Sequence, residues 1–540
     1  MSSESPVLTS ADSMSINAET ETRDPVALDK SSPVYRVLFT EDVFGMIVVA
    51  ALDCAPGTHD RATISRLART SRGFTRAAMR VLWRKMTSLV PLLRTIPGLK
   101  WDKYRRYGTF IWHVVVPSAD PETLAVLDTR AFERCGRYIK YFVWQSNRDI
   151  GRNTLTFFQS ALSSSARPWL PAVRSITWHE ERGEPTLLPL WVFGAPSLRE
   201  LSITASLGEK PRLLKLFDEL RTRCPDLESV HIQHPAPLRP VHVPLRSSEF
   251  SSAFRRFLVE TIHGPSGGLG LRSLVTCVPL SWDDVSVLAQ MSRLEVLNVH
   301  LAPATASPNE PPLPPGAFQS LVSLVLEVEE LDWTVIRLMD SLDSPTLQSL
   351  RVVIVERPPE LRMRDFFSSL ARSTFRQRLE CFGLEVNYTS LPDKSDGRCV
   401  HALSGSTLRP LLQMSGLISL SLIIPRISLC RDDLQTLAKA WSHLRRIKIR
   451  QIANVVKPID VRDLLALAEF AQKLEEVVLD IHGDNVSLPI PEEELPARSR
   501  RVRKITCRTF NNDDDEQAIL AYLSYIFPKA VVTPVQSWYR

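Results

Sequence analysis

The chain has 540 residues, 44% apolar and 23% charged, with a formal net charge of +6. That length exceeds what one compact core accommodates, and the ordinary apolar and charged fractions exclude a wholly disordered chain. The longest run free of polar residues, Val43 to Leu52, spans ten residues and is too short to cross a bilayer as a helix.

From the N-terminus, residues 1–33 carry eight Ser and six acidic residues against two basic ones, without an apolar signal core in Met1 to Asp12. Residues 1–35 are therefore expected to form a disordered tail. Eight cysteines without a C-x-x-C pair predict a reduced intracellular protein, cytoplasmic and/or nuclear, with buried thiols. The glycosylation triplets at Asn387 and Asn485 then read as chance matches.

Residues 36–86 read as three short helices. Leu38, Val43, Phe44 and Ile47 fall near helical spacing, and Cys54 to Asp60, with Pro56 and Gly57, breaks the run. A second helix is expected from about Arg61 to Phe74, with Ile64, Leu67 and Ala68 inward. A third follows with Ala78, Val81, Leu82 and Trp83. So small a bundle is marginal alone and gains from burial against a partner. Residues 61–106 hold thirteen Lys/Arg against one acid, Asp102. With no aromatic ladder or nucleic-acid motif and a mild overall charge, this reads as a solvated face rather than a nucleic-acid surface.

Residues 87–134 read as a connector and first cap. Beyond them one phrase recurs, Leu-x-x-Leu-x-Leu. It stands at Leu198/Leu201/Ile203, Leu227/Val230/Ile232, Leu294/Leu297/Val299, Leu321/Leu324/Leu326 and Leu347/Leu350/Val352. It returns at Leu379/Phe382/Leu384, Leu417/Leu420/Leu422, Leu444/Ile447/Ile449 and Leu474/Val477/Leu479, with looser copies from Ile139, Val173, Leu271 and Val502. Most starts lie 23 to 34 residues apart, a period of stacked repeats. Each phrase ends in apolar/polar alternation, which predicts a strand. Between phrases, stripes such as Val335/Leu338/Met339/Leu342, Leu434/Leu437/Ala438/Trp441 and Val461/Leu464/Leu465/Ala468 predict helices. Ser281 with Asp284, and Asp460 with Asp463, have capping-box spacing.

Strands recurring after helices pair in parallel with right-handed crossovers. The expected fold is therefore α/β: a small helical module, then over 135–540 a curved solenoid with parallel strands on its concave face. Pro-rich segments near 234–247 and 303–316 are expected to be loop excursions. Residues 135–510 resemble leucine-rich repeats, without the Asn or Cys that usually follows the phrase; Ser206 stands at that place after Ile203.

The string Ile64-Ser-Arg-Leu67-Ala-Arg-Thr70-Ser71-Arg-Gly-Phe74, followed by Leu82-Trp83-Arg84-Lys85-Met86, resembles the F-box motif. Ser88 to Leu93, Asp432 to Trp441 and Ala521 to Pro528 are similar to segments of fungal F-box proteins with degenerate C-terminal leucine-rich repeats. Leu38-Phe39-Thr40-Glu41-Asp42 stands where that family commonly opens with Leu-Pro. The resemblance implies a non-catalytic substrate-recognition subunit of an SCF-type cullin-RING ubiquitin ligase, with an adaptor subunit and a target protein as partners. Carried over by position, it implies adaptor-facing roles for Leu38, Phe39, Val43, Phe44, Ile47, Ile64, Leu67 and Trp83; the other reading of each is a residue of the module's own core. The alternative for the whole chain is an interaction scaffold in which the helical module only caps the solenoid.

Catalytic and metal signatures are weak, and neither cofactor nor metal is expected. Gly264-Pro265-Ser266-Gly267-Gly268 matches G-x-S-x-G, but a helix-like run precedes it and more Gly follows, so it reads as a loop. His179-Glu180-Glu181 lacks the second His of a zinc helix. Cys224, His231 and His234 can sit near one another, but Cys224 precedes a strand phrase and reads as a buried thiol; Asp513 to Glu516 suggest a cation site, but they precede a helix-like run and read as acids favouring a helix N-terminus.

Overall fold

The computed structural model describes residues 32–33, 43, 46–47, 50, 58–70, 72–106, 109–115, 128–145, 150, 168–179, 194–204, 217–218, 220–233, 248–263, 270–302, 312–386, 403–451, 459–482, 499–509 and 513–535. The chain forms two compact units, Met1–Leu82 and Trp83–Arg540.

In the first unit, helix α1 (Thr58–Thr70) is followed after one residue by α2 (Arg72–Arg84), whose last two residues belong to the second unit. Ile64, Ala77 and Ala78 form a buried core, and Leu67, Ala68, Phe74, Val81 and Leu82 pack on it. The Thr75 hydroxyl donates to the Ala68 carbonyl at 2.8 Å and that of Thr70 to the Leu67 carbonyl at 2.8 Å, which satisfies carbonyls at the end of α1.

The second unit is built on one 16-stranded parallel sheet whose strands follow chain order. They are β1 (Lys85–Met86), β2 (Tyr141–Gln145), β3 (Ser175–His179), β4 (Glu200–Thr204), β5 (Ser229–Gln233), β6 (Ser273–Leu280), β7 (Val296–Leu301) and β8 (Ser323–Val328). There follow β9 (Ser349–Ile354), β10 (Cys381–Val386), β11 (Ser419–Ile424), β12 (Arg446–Gln451), β13 (Glu476–His482), β14 (Lys504–Thr509) and β15 (Val531–Pro534). A short strand, Ile459–Asp460, pairs with β13 off this path. All thirteen predicted phrases carry a strand. The strands β1 and β15 extend the stack at either end, pairing in parallel with β2 and β14.

Register explains the phrase. Leu297, Leu324, Leu350, Phe382, Leu420 and Ile447 stand in one cross-strand column; Val299, Leu326, Val352, Leu384, Leu422 and Ile449 stand in another. Both columns are buried. A fully buried Leu or Ile contributes roughly 1.5–3 kcal/mol, and no single layer covers its own face, so the layers are stable only as a stack. In the early layers the second column holds Trp144 and Trp178, whose rings stack at 5.0 Å.

The turn ahead of each strand is tied to the layer before it through the backbone. The Arg174 carbonyl accepts from the N–H groups of Arg199 and Glu200, Glu228 from those of Arg272 and Ser273, and Gln348 from those of Glu380 and Cys381. The backbone ladder thus begins one residue before each strand. Hydroxyls reinforce it across layers: Ser197 donates to the Val173 carbonyl at 2.9 Å, Ser320 to Ser292 at 2.6 Å and Ser344 to Leu321 at 2.8 Å. In β6 the register shifts between Thr276 and Pro279, where proline has no N–H to give the ladder.

Helices α3 (Ser248–His263), α4 (Trp282–Leu288), α5 (Trp333–Ser341), α6 (Glu360–Arg372), α7 (Arg431–Ala440), α8 (Leu465–Phe470) and α9 (Asp513–Ile526) bury their apolar stripes. α3 packs on α4, α5 on α6, and α7 on α8. Helices need about 8–10 Å of spacing against about 4.8 Å for strands, so the array curves with its strands on the concave side. Ser281 and Asp284 form the expected capping box at α4. At Asp460 the cap takes another form: its carboxylate accepts from the Arg462 N–H at 2.9 Å and opens a 3-10 turn, Val461–Leu464, ahead of α8. No helix among the described residues is long and apolar enough to cross a membrane.

Candidate interaction surfaces

Two surfaces follow from this architecture, one on each unit. On the first, Ile64 is buried in the helical core and Leu67 packs beside it. Val43 is helical and half-buried, whereas Met46 (65% exposed) and Ile47 (47%) present apolar side chains to solvent. Trp83 is half-buried in the last turn of α2. Leu38, Phe39 and Phe44 lie outside the described residues. Arg66 and Arg69 on α1, and Arg76, Arg80 and Arg84 on α2, are exposed, divided between the two helices.

On the second unit, the outward strand positions form the open face of the sheet. Its early part is nearly neutral: Thr177, Ser202, His231, Val275, Asn298 and Val325 share one rung. His231 Nε2 lies 3.2 Å from Ser229 Oγ and 3.1 Å from Ser273 Oγ. Burial lowers its pKa, partly opposed by Glu200, so the ring is neutral and acts as a hydrogen-bonding post. The later part is charged. Arg351 pairs with Glu385 at 2.6 Å and Lys504 with Glu476 at 2.7 Å. At the end of β12–β14 an ion pair is buried: Arg508 Nη2 lies 3.1 Å from Asp480 Oδ2 and donates to the Gln451 carbonyl at 2.8 Å. The Gln451 N–H also donates to the Asp480 carboxylate, and the Gln451 amide donates to the Ile427 carbonyl at 3.0 Å.

Among the described residues, the remaining candidates assemble no reactive centre. Cys224 is buried, its thiol pushed up to about 12 by burial, and so is unreactive at neutral pH. His234 and Gly264 to Gly268 lie outside the described residues. Asp513 to Glu516 lie in the first turn of α9. Among the described residues no group of three or more His, Cys, Asp or Glu is placed to hold a metal.

No family model matches the chain, and no curated protein matches it. Among solved structures it is similar to a chain in the crystal structure of the Rad7 and Elc1 complex in yeast, at 15% identity over 70% of this chain and 76% of that one. The TM-score is 0.36, which assigns the chain to no family. What the chain's own topology establishes is a leucine-rich-repeat-like α/β solenoid with an open, parallel strand face.

Proposed function

We propose that this chain is a substrate-recognition subunit of an SCF-type cullin-RING ubiquitin ligase. In this reading residues 36–86 dock on the adaptor and the repeat array holds the target, in the cytoplasm or nucleus and without chemistry of its own. The mechanism is positional: a bound target reaches a high effective concentration beside the ubiquitin-charged enzyme. The observation that supports it is a small helical unit exposing Met46 and Ile47 ahead of a long stack of layers. A helical unit whose described core is so small is marginal alone, and burial of those side chains against an adaptor would stabilise it. Affinity capture of the cullin adaptor by the full chain tests the reading; a folded chain that retains none contradicts it.

One observation favours the scaffold reading. α2 runs into β1 with no intervening residue, and β1 pairs with β2, so the chain passes from the helical segment straight into the repeat sheet. Deleting residues 36–82 separates the two. Under capping, solubility falls and the partner set of the remaining protein is unchanged; under docking, the adaptor alone is lost.

A further inference from the structure

The open face of β9–β12 holds a shallow trough. Arg351, Gly383, Ser421 and Lys448 stand in register across these four strands. Three strand spacings separate the two cations, roughly 14 Å, and the floor between them is Gly and Ser. The preceding rung continues that floor with Cys381 and Ser419 and ends at Arg446; the following rung ends at Arg450. Gly383 is what lets Arg351 lie down over the floor: a Cβ there would stand 3.3 Å from Arg351 Cγ. Lying so, Arg351 reaches Glu385 at 2.6 Å.

Four cations thus face the trough carboxylate Glu385 and, one strand beyond Arg351 on the following rung, Glu327; Glu476 on the far side is engaged by Lys504. Arg351 and Arg446 are exposed, and Lys448 and Arg450 half-buried. Burial lowers the Lys448 pKa, and Arg450 lowers it more than Glu385 raises it. An incoming anion would relieve this crowding of like charge. The trough runs along strands of six residues, which suits an extended chain, and its floor offers no aromatic ring on which a nucleobase could stack.

We propose that this trough binds an extended anionic segment of a partner protein, its acidic or phosphorylated side chain held between Arg351 and the Arg446/Lys448/Arg450 edge. The inference deepens the target-holding half of the function proposed above and does not depend on the adaptor.

Fluorescence anisotropy on the full chain tests it with four labelled probes: degenerate nonapeptide pools centred on phosphoserine, on Glu-Glu or on Ser-Ser, and a single-stranded oligonucleotide. The two anionic pools are expected to bind, with their ratio separating phosphate from carboxylate as the preferred source of charge. Binding should weaken about tenfold between about 50 and about 300 mM salt. Lys448→Glu and Arg446→Glu should each weaken it at least about tenfold, while Arg199→Ala, in the exposed pair with Glu228, leaves it unchanged. Glu385→Gln should tighten it severalfold, a gain that a damaged fold does not mimic. Equal binding of the Ser-Ser pool, preference for the oligonucleotide, or no gain in Glu385→Gln would overturn the proposal. Adaptor capture on the same preparation is read separately, so its loss bears on the ligase reading alone.

Discussion

Replacing Arg508 by Met isolates the buried ion pair of the last layers. In the native chain Arg508 and Asp480 side chains are 8% and 1% exposed, and Arg508 makes two hydrogen bonds to the Asp480 carboxylate and one to the Gln451 carbonyl. Arg508→Met leaves the aspartate charged, dry and held by the Gln451 N–H among the contacts described above. It also strips a donor from the Gln451 carbonyl. Breaking such a pair from one side costs about 3–5 kcal/mol. In a stack with nearest-neighbour coupling the damage stays near its layer, so amide exchange should accelerate in β12–β15 well before β7–β10. The double variant Asp480→Leu/Arg508→Met removes both charges and should recover most of the loss, because apolar replacement of a buried pair is often neutral. Urea unfolding with hydrogen-exchange mass spectrometry reads both effects. A single variant within about 0.5 kcal/mol of wild type, or a double variant no better than the single, would refute the argument that charge burial organises this end of the sheet.

Trp441 is fully buried and donates its Nε1–H to the Leu411 carbonyl at 3.2 Å; Trp441→Phe should cost about 1–3 kcal/mol through the orphaned carbonyl and Trp441→Ala about 3–5 kcal/mol, both read by urea unfolding. Gly416→Ala drives a Cβ into the Gln377 carbonyl oxygen and should lower the melting temperature by forcing the turn before β11 to shift. Burial raises the folded thiol of Cys224 to about 12 and of Cys507 to about 11, from an ordinary 9.0. Their contribution to stability is therefore complete below pH 9 and is lost as pH rises towards those values. The urea midpoint should fall across that window, and Cys224→Ala should flatten the fall.

The thirteen central strands were legible because each burial column is written locally, two leucine-type residues apart in the chain and repeated. The outer strands were not. β1 contributes one inward side chain, Met86, and the described residues of β15 are exposed or half-buried, so neither carries the phrase. The helix following Asp460 was legible as a stripe, but its 3-10 start depends on how the Asp460 carboxylate meets the backbone. On the candidate surfaces the limit is register. Arg351 lies about a hundred residues from Lys448 and Arg450, and only strand pairing gathers them; by alternation alone each is simply a solvent-facing residue of its own strand. Asp480 and Arg508 follow the same rule, since the pairing that buries them joins separate layers. In the helical unit, spacing identified Ile64 and Leu67 as apolar neighbours on one helix face, but whether an apolar residue turns inward or stays open, as Ile47 does, depends on the packing of the other helix.

The ligase reading stands on the exposed apolar pair of the first unit. The most direct measurement is capture of the cullin-RING adaptor by the full chain and by Ile47→Asp, with thermal melting recorded on both. The account predicts that the wild-type chain retains the adaptor and that Ile47→Asp loses it with an unchanged melting temperature, because Ile47 is already solvent-exposed in the free chain. Equal retention by both proteins, or none by a folded wild type, would contradict it.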